Sequence, residues 1–258
     1  MISKALKEIN YEAMSSDTVI GEFSGRDSVA AIMKAFEFEN VNAILPIATF
    51  AGTEYGNYDI LYDNYLQLKE QVSKQYGDTK VLHELLEYSD QRLWHLLNGR
   101  YTTELINKYG FYIPCIGCHL YFHLTKLKYA NRLSRKIVSG ERSSHDGRIK
   151  VNQLPEVLES YRNVMTKLGY ELIMPIEHMA EGNDVESLIG WNWDEGESHP
   201  KCVLSGNYRD ISGKAVYDEM QLDDFLESYI EKIGYAAGEY VLGRKTLEEV
   251  EKIIKGLL

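Results

Sequence analysis

The sequence predicts an α/β protein built on a five-stranded parallel sheet with helices on both faces. Five short apolar, β-branched runs alternate with segments that have helical spacing of apolar residues. Strands that alternate with helices form parallel pairs, because the helix carries the chain back across the sheet. The chain has 258 residues, 44% of them hydrophobic and 26% charged, which suits a soluble protein with a full core.

Each predicted element follows from its residue pattern. An amphipathic helix is expected over residues 2 to 14, ahead of the first strand. The strands are predicted at 18–23, 43–50, 80–86, 135–140 and 171–176, and the helices between and after them at about 29–39, 61–75, 91–109, 120–133 and 154–168. Helices continue from Lys214 onward. We therefore expect an α/β nucleotide-binding and catalytic domain over 1–213, with a C-terminal helical extension over 214–258 packed on it.

Composition and charge exclude some classes of function. No apolar run reaches the roughly 20 residues that span a bilayer, and the first residues lack a secretory pattern, so we expect a cytoplasmic protein without a membrane partner. The formal charge of −11 disfavours a general nucleic-acid binder. Between residues 119 and 150, however, the sequence contains eight Lys or Arg residues and only two acidic residues. This excess suits a tRNA footprint, the phosphate side of a nucleotide site, or a solvated helix face.

The loop after the first strand reads Ser24-Gly25-Arg26-Asp27-Ser28. Gly25 would allow a tight turn, and the Ser24 and Ser28 hydroxyls would join the N–H groups of the next helix in binding phosphate. An ordinary capped turn is the alternative. The loop resembles the Ser-Gly-Gly-x-Asp-Ser signature of the PP-loop family and is one residue shorter. That resemblance implies a Rossmann-like fold of the PP-loop (HUP) type and cleavage of ATP to AMP and pyrophosphate.

A second polar loop, Ser139 to Asp146, follows the fourth strand. The PP-loop family has a Gly-His-x-x-Asp-Asp-like motif here, near the triphosphate and its magnesium ion, and the resemblance extends to Gly140 and Asp146. In chemical terms Arg142 can neutralise a phosphoryl oxygen, His145 can donate a hydrogen bond to one, and Asp146 can bind Mg²⁺. A simple polar turn is the alternative.

Three cysteines carry the other chemical signal: Cys115, Cys118 and Cys202. Two of them form a C-x-x-C pair, which indicates metal or redox chemistry in a protein without a secretory signal. A zinc site completed by His119 or His123, a metal-free redox or persulfide pair, and plain buried cysteines all remain open. The order and the 84-residue gap before Cys202 resemble the PP-loop tRNA thiolation enzymes. In those enzymes three cysteines hold a [4Fe-4S] cluster whose open iron can carry sulfide.

The resemblance implies an ATP-dependent sulfurtransferase. ATP would adenylate a carbonyl oxygen of the acceptor and release pyrophosphate, and sulfur would then displace AMP. Arg26, Asp27 and Cys202 are the candidate catalytic residues. The expected partners are ATP, a sulfur donor (sulfide or a sulfur carrier), and tRNA or a small molecule as acceptor; a homodimer is one candidate assembly. An amide-forming ligase with structural zinc and a non-catalytic ATP sensor are the alternatives.

Overall fold

A computed structural model describes residues 14–110, 112–193 and 199–258. The predicted helix over residues 2 to 14 lies outside the described residues, except for Met14. The strands are β1 (Val19–Phe23), β2 (Ala43–Ala48), β3 (Glu54–Tyr55), β4 (Val81–Leu82), β5 (Leu86–Glu87), β6 (Lys136–Val138), β7 (Glu171–Ile173) and β8 (Lys201–Cys202). The main sheet has the order β4-β2-β1-β6-β7, with β5 also paired to β2, and every pair in it is parallel. The predicted fold class is therefore confirmed.

Ten α-helices fill the described part of the chain. They are α1 (Arg26–Ala35), α2 (Asp59–Tyr76), α3 (Gln91–Asn98), α4 (Thr102–Tyr109), α5 (Pro114–Ala130), α6 (Pro155–Leu168), α7 (Gly182–Ile189), α8 (Glu219–Phe225), α9 (Glu231–Val241) and α10 (Leu247–Leu257). A single π-helical stretch, Leu226–Ile230, joins α8 to α9. In the described residues, no helix combines the length and the apolar character needed to cross a membrane.

The sheet separates two apolar clusters because successive side chains of a strand point to opposite faces. Val19 of β1 packs with α1, α2 and α7, whereas Ile20 packs with α3 to α6 and the C-terminal helices. The same alternation places Ile44 and Leu45 of β2 in different clusters. Both faces of the central strands are thus covered, as parallel sheets require.

The C-terminal helices belong to the larger of these clusters. Helix α9 packs against α5 and α6, and a methyl group at Gly234 would lie 3.0 Å from both Leu120 and Val164. Glycine at this position therefore lets α9 approach the two helices closely. The segment from 214 onward shares a continuous apolar core with the α/β part.

Two of the predicted helices were wrong at their boundaries. The predicted helix over 91–109 is two helices. The first, α3, is capped at its start by Asp90 and ends at Gly99, and α4 begins at Thr102. The helix expected from about Leu120 begins at Pro114, a residue favoured in the first helical turn. The C-x-x-C pair therefore lies on a helix and not in a preceding turn. The predicted third strand is also divided, into β4 and β5.

Candidate functional site

A cleft of about 500 Å³ opens at the carboxyl ends of β1 and β6, where open α/β sheets bind ligands. Its lining includes all twelve residues that the sequence predicts for the site: Ser24, Gly25, Arg26, Asp27, Ser28, Cys115, Cys118, Gly140, Arg142, His145, Asp146 and Cys202. The structure thus brings the loop after β1, the second polar loop and the three cysteines to one place.

The loop after β1 is fixed by the hydroxyl of Ser28. This oxygen accepts hydrogen bonds from the backbone N–H groups of Ser24, at 2.9 Å, and Gly25, at 3.1 Å, and it donates to the carbonyl of Gly25, at 2.8 Å. The loop itself thus uses the Ser28 hydroxyl, and a contact of this hydroxyl with an anion stays a prediction. The anion-binding groups left at this end are the N–H groups of the first turn of α1, which have no acceptor within the helix.

Gly140, and not Gly25, is the glycine on which this loop depends. Gly25 has φ −135°, an extended conformation open to any residue, and a methyl group there would lie 3.7 Å from His199. The chain bends at Ser24 and Gly25, as predicted, but this bend does not require glycine at position 25. At Gly140 a methyl group would lie 2.4 Å from the backbone nitrogen of Ser28, so only glycine allows the loop after β6 to touch the first turn of α1.

Asp27 lies between two arginines. The Nε atom of Arg26 is 3.3 Å from its Oδ1 atom, and the Nε atom of Arg142 is 3.1 Å from its Oδ2 atom. Arg26 also reaches Glu186 of α7, at 3.3 Å. The side chain of Arg142 is 1% exposed, and its Nη1 atom donates to the carbonyls of Met179 and Ala180. Arg142 therefore holds Asp27 and the turn after β7 together, where the sequence suggested direct phosphate contact.

His145 and Asp146 also serve the scaffold of the cleft. Burial, with the nearby charges of Lys150 and Arg142, lowers the pKa of His145 to about 4, so the ring is neutral at pH 7. Its Nε2 atom lies 2.9 Å from the carbonyl of Arg142 and donates to it, so the N–H of the neutral ring is used within the loop, and donation from His145 to a phosphoryl oxygen stays a prediction. Asp146 accepts from the N–H of Gly182 at 2.7 Å and so caps α7; this hydrogen bond lowers the pKa of Asp146.

The three cysteines come from two elements. Cys115 and Cys118 lie in the first turn of α5, three residues apart and therefore on one face. Cys202 lies on β8, whose antiparallel pairing with β3 places it opposite Glu54. All three are free thiols. Each has a polar neighbour: Trp94 Nε1 is 3.3 Å from Cys118 Sγ, Thr53 Oγ1 is 3.3 Å from Cys202 Sγ, and Asn207 Oδ1 is 3.5 Å from Cys115 Sγ.

The surroundings of the thiols bear on the alternatives to a cluster. Burial raises the pKa of Cys115 to about 11 and that of Cys118 well above its ordinary value. Both are protonated at pH 7 in the metal-free protein, which disfavours a metal-free persulfide pair, since the thiolate is the reactive form. In the described ranges, no three His, Cys, Asp or Glu side chains are arranged to hold one metal ion.

The two histidines proposed as a fourth zinc ligand have other partners. His119 Nδ1 is 2.7 Å from Glu141 Oε1, and its Nε2 atom is 3.0 Å from Asn152 Nδ2. His123 is fully buried, with Nδ1 2.7 Å from Glu22 Oε1 and Nε2 3.5 Å from Glu141 Oε1. Both nitrogens of each ring therefore face groups other than the thiols.

These contacts form a buried polar network that sequence reasoning missed. Burial alone would raise the pKa of Glu141, but attraction to His119 and His123 and the hydrogen bond from Gln153 outweigh it and hold the pKa at about 2. Burial opposes the charge on His123, and the attraction of Glu22 outweighs it, so the pKa of His123 is raised. The signal in the sequence was His123 and Lys126, whose spacing of three residues places two ionisable side chains on one face of a predicted helix.

Two further ionisable groups, Lys126 and Glu54, lie near this network. Lys126 is buried and donates to Thr49 Oγ1 at 2.5 Å, and burial lowers its pKa to about 8. Glu54 lines the cleft, accepts from the N–H of Ala51 at 2.6 Å, and has its pKa raised to about 7 by burial. The cleft therefore has a cationic end at Arg26 and Lys150 and a more acidic wall near the cysteines.

Replacement of Gly140 by alanine is expected to destabilise the protein, because the added methyl group meets backbone that cannot rotate away. We expect a loss of about 1–3 kcal/mol in the free energy of unfolding, as for other overpacked sites. Gly25→Ala is the control, and it should change stability by less than about 1 kcal/mol. Urea unfolding of both variants measures the difference. Equal effects would contradict the role given to Gly140.

Replacement of Glu141 by glutamine is expected to cost about 3–5 kcal/mol of stability at pH 6, because it leaves two histidines without their shared carboxylate. A carboxylate with a lowered pKa stabilises the fold above its ordinary pKa. That contribution disappears as the pH falls from about 4.5 to about 2. The difference in urea unfolding between the wild type and Glu141→Gln should therefore shrink below pH 4.5.

The matched control for this prediction is Glu171→Gln. The side chain of Glu171 is 61% exposed and lies 3.7 Å from Lys136, and exposed pairs of this kind contribute less than about 1 kcal/mol. A pH-independent effect of Glu141→Gln, or an equal effect at the control site, would show that Glu141 is not a charged partner of the histidines.

Comparison with known proteins identifies a relative of this chain. No protein-family model matches it, and no solved structure matches it either. Over 214 residues, which cover 83% of this chain and 77% of the relative, it is 42% identical to the uncharacterized protein MJ0009 of Methanocaldococcus jannaschii. At this identity and coverage, the chain belongs to the same family as MJ0009.

Proposed function

We propose that this protein is an ATP-dependent sulfur-transfer enzyme of the PP-loop type. One observation carries the proposal: the loop at the start of α1 and all three cysteines line a single cleft. A nucleotide site alone would need only the loop, and a structural metal site alone would need only the cysteines. Their meeting in one cleft supports a reaction in which ATP activates the acceptor that sulfur then attacks.

The end of the cleft near β1 supplies the groups for ATP. The first turn of α1 presents backbone N–H groups to an anion, and the side chains of Arg26, Arg148 and Lys150 line the same part of the cleft. One carboxylate oxygen of Asp146 caps α7, and its other oxygen is a candidate ligand for a Mg²⁺ ion that keeps most of its waters. We assign Arg26 to the charge that develops on pyrophosphate.

The donor set at the other end is three thiols, the soft ligands that iron–sulfur clusters take. The three thiols of a cubane each bind a different iron, so they lie further apart than the ligands of one ion. Cys115, Cys118 and Cys202 would hold such a cluster, which would supply an iron without a protein ligand as the binding site for the sulfide that is transferred.

The proposed reaction has two steps. The carbonyl oxygen of the acceptor attacks the α-phosphorus of ATP, and the bond to the β-phosphate oxygen breaks, so that pyrophosphate leaves. The sulfur then bonds to the activated carbon, and the carbon–oxygen bond breaks with AMP as the leaving group. Arg26 and the N–H groups of α1 stabilise the leaving pyrophosphate. The acceptor is a tRNA base or a small molecule with an amide-like carbonyl.

Protein purified without oxygen is expected to be brown and to contain about four iron and four sulfide ions per chain. Cys115→Ser, Cys118→Ser and Cys202→Ser should each lose most of that iron, since each removes one of three ligands. Visible absorption and iron and sulfide analysis give the result. Met220→Ser, which removes an exposed sulfur atom, is the control and should keep the colour. A colourless wild type with one zinc ion per chain would favour the ligase alternative.

Purified protein supplied with ATP, Mg²⁺ and sulfide is expected to release AMP and pyrophosphate when its acceptor is present. The acceptor is supplied as bulk tRNA in one reaction and as the low-molecular-weight fraction of a cell extract in another. Arg26→Ala should slow AMP release by about 100-fold, as for other losses of a charge-stabilising donor.

Two variants control for indirect effects of Arg26→Ala. Glu186→Gln removes the ion pair of Arg26 with α7 and keeps the guanidinium, and Arg92→Ala removes an arginine that is 79% exposed. Both should retain most of the activity. ATP binding without AMP release in either reaction would favour the sensor alternative.

A further inference from the structure

We propose that Trp94 is a positioning residue of the cysteine site, which it fixes through one hydrogen bond to Cys118 and one ring contact with the loop beside Cys202. The inference rests on the proposed function, because it assigns Trp94 to the thiolates that would hold the cluster. Trp94 lies on α3 and lines the cleft.

The first contact joins α3 to the C-x-x-C helix. The indole Nε1 atom of Trp94 lies 3.3 Å from Cys118 Sγ. An indole N–H can only donate, so the sulfur is the acceptor and the direction of the hydrogen bond is fixed. Trp94 thus places a donor against the sulfur of one candidate ligand.

The second contact joins the same indole to the loop after β2. A methyl group at Gly52 would lie 3.0 Å from Cε3 and 3.1 Å from Cζ3 of Trp94, so the ring lies directly against the backbone of this loop. The next residue, Thr53, has its hydroxyl 3.3 Å from Cys202 Sγ, and its carbonyl accepts from the N–H of Val203 at 3.0 Å. The ring of Trp94 therefore supports the segment that orders Cys202.

The packing around Trp94 keeps α3 close to α5. The side chain of Asn98 donates to the carbonyl of Trp94 at 3.2 Å. A methyl group at Gly117, between the two cysteines of the C-x-x-C pair, would lie 2.4 Å from the Oδ1 atom of Asn98. Glycine at 117 thus leaves room for the Asn98 side chain between α3 and α5, on the helix that brings the indole N–H to Cys118.

A hydrogen bond to a cluster-bound thiolate has a measurable consequence. The reduced cluster carries more negative charge on its sulfurs, so a donor stabilises the reduced form more than the oxidised form and raises the reduction potential. The effect is strong where water is excluded. Loss of the indole N–H should therefore lower the potential of the cluster while leaving its three cysteines in place.

The test is Trp94→Phe, which keeps an aromatic side chain at this position and removes the N–H donor. We expect the variant to retain its iron, to have a more negative midpoint potential in a dye-mediated titration, and to bleach several-fold faster in air. Trp191→Phe is the matched control, because Trp191 packs against Trp193 and is not itself among the residues that line the cleft. It should leave both the midpoint potential and the rate of bleaching unchanged.

A second variant guards against a folding defect in the first. Gly52→Ala keeps the indole and displaces its ring, so its midpoint potential should shift in the same direction as that of Trp94→Phe. Thermal unfolding of each variant identifies any loss of fold. A brown wild type with unchanged potential and lifetime in both variants would overturn the role of Trp94 alone. A colourless wild type would instead overturn the proposed function, and this inference with it.

Discussion

Asp27 and Arg142 form an ion pair between the first turn of α1 and the loop that follows β6, with Nε 3.1 Å from Oδ2. The guanidinium of Arg142 is almost fully buried and also binds the carbonyls of Met179 and Ala180 in the turn after β7. Three segments at the carboxyl end of the sheet are thus joined by one side chain. Since a buried charge without a partner is costly, each segment is held at the position where Arg142 remains satisfied.

The close contact of Gly140 with α1 depends on the same arrangement. Because Gly140 has no side chain, the loop after β6 can lie against the backbone of Ser28, and this places Arg142 within reach of Asp27. The hydroxyl of Ser28 then holds the loop after β1 in place by accepting hydrogen bonds from the N–H groups of Ser24 and Gly25. Side chains that the sequence suggested for direct ligand contact instead hold the N–H groups of α1 in position.

Another part of the cleft lining, at Glu22 and Glu141, depends on pairs between carboxylates and histidines. Glu22 pairs with His123 and Glu141 pairs with His119, at 2.7 Å in each case, and these hydrogen bonds connect β1, α5 and the loop after β6. Removal of one partner would leave a largely buried charge unpaired, which destabilises a protein. The network also occupies His119 and His123, which reduces the support for a zinc site at the cysteines and leaves three thiols as the available soft ligands.

The sequence by itself determined the fold class, because alternating strand and helix patterns permit few arrangements other than a parallel sheet. It also identified twelve of the residues that line the cleft, nine of them because loops at the carboxyl ends of neighbouring parallel strands meet at one edge of the sheet. Only the tertiary structure decided what those residues do. Whether Ser28, Arg142 and His145 face a ligand or hold the scaffold depends on which backbone groups packing brings near them. Glu22 and His123 are 101 residues apart in the chain, and Trp94 and Cys118 are 24 residues apart. Local sequence patterns do not reveal contacts at these separations.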